Sequence, residues 1–126
     1  MTKAILLLTL LLNAFSMLAK DTWKPQPNWL NLPTDREKVG NMHGDIAVSS
    51  NGDVYVSVGD PKAGLQVYGD NGKWKRNVPN APSDLHGFVI KKEGEKEFIY
   101  CVRVGGGELL KLNLEGKTIL KIPASS

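Results

Sequence analysis

Asn41-Met42-His43-Gly44 returns as Asp84-Leu85-His86-Gly87: a small polar residue, an apolar one, then His-Gly, at an offset of 43. Further along, an offset of 44 aligns Val54 with Phe98, Val58 with Val102, Leu65 with Leu109, Gly72-Lys73 with Gly116-Lys117 and Val78-Pro79 with Ile122-Pro123. One extra residue in the loop around Glu93 to Lys96 accounts for the change of offset. A repeat of this length marks one supersecondary unit built twice, each copy needing a neighbour to bury its apolar face.

The first copy reads as four short strands. Ile46 to Val48 is the first. Ser49-Ser50-Asn51-Gly52 is a turn whose Asn-Gly pair suits two positive-φ positions. Asp53 to Val58 places Val54, Val56 and Val58 on one face and is the clearest strand in the chain. A loop over 59–64 leads to a third strand at Leu65–Tyr68. Gly69-Asp70-Asn71-Gly72 is a second hairpin turn, and Trp74 to Val78 is a more polar outer strand. The second copy repeats these pieces at Phe88–Lys91, Phe98–Arg103, Leu109–Asn113 and Thr118–Ile122. Its turns fall at Lys92 to Lys96, at Gly105-Gly106-Gly107 and at Glu115-Gly116. The triple glycine lies between two antiparallel strands and opens no helix, so it is a loop and not a phosphate cradle.

Four strands per 43 to 44 residues is the period of a propeller blade. The expected fold is all-β: two four-stranded antiparallel blades of a truncated β-propeller, packed face to face. The expected organisation is a signal peptide over 1–19, a lead-in over 20–40, blade one over 41–83 and blade two over 84–126. A third His-Gly at the same period would fall just past Ser126. The chain therefore reads as an N-terminal piece of a longer propeller, a truncated reading frame, or a unit that assembles with further copies. Each end blade would leave an apolar face open, inviting self-association.

The stretches His43-Gly44-Asp45-Ile46-Ala47-Val48, Asn51-Gly52-Asp53-Val54-Tyr55-Val56, Val67-Tyr68 and Asp70-Asn71-Gly72-Lys73 resemble an NHL repeat, the blade of six-bladed propellers. No Trp-Asp pair closes either repeat, which separates it from WD40 blades. The His-Gly at the start of each inner strand is similar to the peptidyl-α-hydroxyglycine α-amidating lyase branch of that group. There, histidines from separate blades meet at the channel and hold zinc. Carried over, the resemblance makes His43 and His86 metal ligands, with Asn41 and Asp84 as partners that orient the rings. It also leaves the third histidine and any catalytic base outside this chain.

The N-terminal segment has the parts of an export signal: Lys3, an apolar run from Ala4 to Leu12, and Ala19 at the end of Ser16-Met17-Leu18-Ala19. Asn13 and the Lys20-Asp21 pair keep the run too short for a stable membrane span. The expected location is secreted or periplasmic. Pro25, Pro27 and Pro33 exclude a regular helix from the lead-in. Its Trp23, Trp29, Leu30 and Leu32 are expected to lie against the body of the protein. The single Cys101 sits in the apolar run Phe98 to Val102 and reads as a small buried hydrophobe. Net charge is +3 with the lysines scattered, so no block of like charge points to nucleic acid.

Two functions follow. One is an exported scaffold or binding module, inactive on its own, whose rim contacts a protein, peptide or glycan. The other is the N-terminal part of a zinc-dependent amidating-lyase-like enzyme. A calcium-dependent lactonase-like propeller ranks below both, since only Asp45 stands near the position such an ion needs.

Overall fold

A computed structural model describes residues 23–35 and 45–124. Among them there is no helix. Eight strands follow one another: β1 (Ile46–Val48), β2 (Val54–Ser57), β3 (Leu65–Tyr68), β4 (Trp74–Asn77), β5 (Leu85–Glu93), β6 (Lys96–Arg103), β7 (Glu108–Asn113) and β8 (Thr118–Pro123). They form two four-stranded sheets, β1-β2-β3-β4 and β5-β6-β7-β8, with every neighbouring pair antiparallel. The architecture is all-β, as the repeat pattern implies. The segment expected to be a signal peptide lies outside the described residues.

Three turns share one design. Ser49 N–H donates to Asp53 O at 2.9 Å and Gly52 N–H to Ser49 O at 3.0 Å. Gly69 and Gly72 repeat the pattern with Lys73, and Asn113 and Gly116 repeat it with Lys117. The glycines take φ of 86°, 75° and 81°. This is a type I turn closed by a left-handed glycine, the usual three-residue hairpin. It differs from the sequence expectation for Asn51-Gly52, because Asn51 keeps negative φ. Asn51 serves instead as an acceptor: its Oδ1 takes the Asp53 N–H at 3.1 Å. Asn71 does the same for Lys73, at 3.0 Å.

The pairing registers of the two sheets match residue for residue. The row Ile46, Val56, Gln66, Asn77 corresponds to Phe88, Cys101, Leu110, Lys121. The row Ala47, Tyr55, Val67, Arg76 corresponds to Val89, Tyr100, Lys111, Leu120, and Val48, Val54, Tyr68, Trp74 to Ile90, Ile99, Leu112, Thr118. Even the irregularity before Tyr68 recurs before Leu112. This corrects the sequence alignment: Val54 corresponds to Ile99, not Phe98. The connection between Val48 and Val54 spans 49–53, whereas that between Ile90 and Ile99 spans 91–98, three residues more. The extra residues do not loop out. They lengthen β5 and β6 as far as the Glu93–Lys96 pair and leave Gly94-Glu95 as the turn.

The two sheets share one core. Tyr55, Leu65, Val67 and Val78 come from the first repeat, and Leu85, Phe88, Ile99, Cys101, Leu110 and Leu112 from the second. Because side chains alternate along a strand, the correspondence shows how the sheets stack. Ala47, Tyr55 and Val67 face the second sheet, but their counterparts Val89, Tyr100 and Lys111 lie on its far side. The sheets therefore stack front to back, like successive copies in a pile, and not front to front.

The lead-in closes the outer edge of the first sheet. Asn31 bridges Lys73 in parallel, with Asn31 N–H donating to Gly72 O at 2.8 Å and Trp74 N–H to Asn31 O at 3.2 Å. Trp29, Leu30 and Leu32 are half-buried, as expected, whereas Trp23 stands exposed.

Gly116 sits where the second sheet's last turn meets the first repeat: a Cβ there would lie 1.9 Å from Pro79 O. Gly94 has a similar positive φ of 59° but open space around it. Gly94→Ala should lose only the left-handed penalty, about 1–2 kcal/mol. Gly116→Ala should lose clearly more, about 3 kcal/mol or above, since backbone must move as well. Urea unfolding of the two variants side by side checks this; equal losses would show that the Gly116 contact is immaterial.

Candidate functional site

His86 lies near the start of β5. Leu85 pairs with Arg103 and Gly87 with Val102, so His86 is the extra residue of a β-bulge with no partner across the ladder. A bulge re-aims the side chains around it. Here it lets Leu85 and Phe88, three positions apart, both enter the core and turns His86 out to solvent. Gly87 lies under β1's approach: a Cβ there would come within 3.2 Å of Asp45 Oδ2.

Beside the bulge runs a chain of four charges. Arg103 donates through Nε to Asp84 at 2.8 Å and through Nη1 to Glu108 at 2.6 Å. Lys121 closes the row on the other oxygen of Glu108. The Glu108 side chain is buried and would be costly to leave unpaired. The hydrogen bond from Arg103 holds the Asp84 carboxyl below its ordinary range. The bond from Lys121, with Arg103 adding to it, does the same for Glu108. Arg103 is correspondingly pushed up by its two carboxylate partners. The network hides in the sequence because it depends on the cross-strand pair Arg103–Glu108 and on a partner nineteen residues back.

These facts bear on the expected zinc ligands. His43 and its neighbours Asn41 and Gly44 lie outside the described residues. Asp84, expected to orient His86, is committed to Arg103. Among the described residues no group of three His, Cys, Asp or Glu side chains is placed to hold a metal ion. Asp45, the carboxylate considered for calcium, stands exposed just before β1.

Cys101 is buried, and that burial raises its thiol to about 11. A thiol held that high stays protonated at neutral pH. A cavity of about 500 Å³ opens between the lead-in and β4, lined among others by Asn31, Asp35, Lys62, Lys73, Trp74 and Asn77. The Trp74 Nε1–H is buried with no hydrogen-bond partner among the described residues. The far side of the second sheet carries two shallow apolar depressions in a row, meeting at Val102 and Leu109. No helix among the described residues is long and apolar enough to cross a membrane.

The charge row sets a pH dependence. A carboxylate depressed in the folded state contributes stability above its unfolded value, and that contribution is lost as pH falls through the folded one. The urea midpoint should thus drop as pH is lowered below about 4. Asp84→Asn should drop less steeply over the same range, because one proton fewer is taken up on unfolding. Parallel curves for the two proteins would remove Asp84 from the account. Compared with known proteins, this chain matches no family model, no curated protein and no solved structure.

Proposed function

We infer that the chain is a pair of blades of an exported β-propeller of the NHL type, serving as a scaffold that presents a binding rim and is inactive on its own. The observation that carries this reading is the front-to-back stacking of two sheets with one pairing grid. Propeller blades stack in this sense around a channel. The His-Gly repeat and the NHL-like stretches support it from the sequence side. The scaffold reading also agrees with the burial of Cys101 in the core and the pairing of Asp84 with Arg103.

The loops at 58–64 and 104–107 cross between strands at the same end of the two sheets. This rim, with Lys62 and the triple glycine, is where a protein, peptide or glycan would bind. The test is an assay of the zinc-loaded chain on a peptide ending in α-hydroxyglycine, paired with a peptide and glycan array. The expected result is no release of glyoxylate, together with array binding that is lost when the two loops are replaced by Gly-Ser segments. Glyoxylate release at a rate proportional to protein would overturn the scaffold reading.

A further inference from the structure

The far side of the second sheet is apolar and open. Val89 is 57% exposed, Val102 47%, Leu109 36%, Leu120 45% and Ile122 50%. Each has a counterpart in the first repeat: Ala47, Ser57, Leu65, Arg76 and Val78. Of these, Leu65 and Val78 are core residues buried against the second sheet, and Ala47 packs beside them. The open face is thus the copy of a face that, in the first sheet, already has a partner.

The partner face also has its copy. Phe88 and Ile90, which pack into the shared core, correspond to Ile46 and Val48, exposed at 66% and 60%. Val56, Gln66 and Tyr68 on that same side are already buried, so the open part is the β1 margin. One departure is Lys111, which stands where Val67 is buried. Its charge is drawn aside: Nζ donates to Glu93 at 2.6 Å and lies 4.1 Å from the centre of the Phe98 ring and 5.3 Å from that of Tyr100. The lysine's stem then adds apolar cover while its charge is balanced.

We propose that this face is an association surface for the first sheet of a second copy of the same chain, so that copies join head to tail. Ile46 and Val48 of one copy meet the face of Val89, Tyr100 and Leu109 on the next, as Phe88 and Ile90 share one core with Ala47, Tyr55 and Leu65 within the chain. Such a contact is heterologous and leaves the same two faces free at the ends, so it runs on until it closes into a ring. Rings of four to eight blades correspond to about two to four copies. The proposal rests on the blade reading for its stacking geometry and goes beyond it in naming the occupant.

The experiment measures the mass of the full chain by light scattering and sedimentation over about 1–200 μM, the range of a modest interface. Two variants sit on exposed positions, Leu109→Glu on the second sheet and Val48→Glu on the first. The expected result is an oligomeric parent, two monomeric variants, and a one-to-one heterodimer on mixing them, since the mixture restores a single complementary contact. The mixing arm also excludes association through any other part of the chain. If Leu109→Glu fails to give a cooperative melt, Ile122→Glu takes its place. A parent that stays monomeric throughout overturns the proposal, as does a Val48→Glu variant that still dimerises, which would mean that the second sheet pairs with itself. Either outcome leaves the glyoxylate and array tests, and so the scaffold reading, unaffected.

Discussion

A sheet that packs front to back on a copy of itself has to be apolar on both sides, and this requirement runs through the structure. It is clearest in β3, where all four residues from Leu65 to Tyr68 are buried. Leu65 and Val67 face the second sheet, while Gln66 and Tyr68 are buried on the other side. A polar group on that side must find a partner. Gln66 does so, accepting from the Tyr68 hydroxyl at 2.8 Å and donating to Asn77 at 3.3 Å. An ordinary antiparallel sheet alternates apolar and polar residues and leaves one face wet. Here the alternation is suppressed in β2 and β3, the middle strands of the first sheet, whereas β7 in the second sheet keeps it.

The fold was largely legible in the sequence because turns and strands are local signals. The Val54-Val56-Val58 alternation and the glycines at 72 and 116 locate strands and turns without tertiary information. The exact correspondence of the copies was not legible. Register is a non-local property, and a slip of one residue sends every side chain to the opposite face. Lys92 to Lys96 looks like a turn by composition, yet charged residues suit a hairpin that projects beyond the sheet and is solvated on both sides. The candidate site was less legible still. Cys101 could be placed from its apolar neighbours. The tie from Asp84 to Arg103 could not, since it appears only when β5 and β6 pair around the His86 bulge.

Edges receive separate treatment. β4 would present open N–H and C=O groups, an invitation to uncontrolled pairing. The lead-in answers it through Asn31, and Gly72 makes that contact feasible, since a Cβ there would fall 1.8 Å from Trp29 O. Among the described residues nothing gives such cover at β1 or along the far side of the second sheet. The chain thus covers the outer edge of its first sheet while those two surfaces stay exposed.

The long β5–β6 hairpin reaches back across the sheet interface. The Glu97 carboxylate accepts from Ser50 N–H at 2.9 Å and from the Ser50 hydroxyl at 2.8 Å. At another margin Arg76 Nη2 donates to Leu114 O at 3.1 Å. An apolar core alone permits two layers to swivel, because its contacts have no direction. Two directional ties at separated margins resist that swivel and hold the splay between the layers. In any closed arrangement of such layers the splay is repeated at every junction, so a few degrees of error accumulate into a gap or a clash. Three residues added to one hairpin thereby become an angular gauge for whatever the stack is part of.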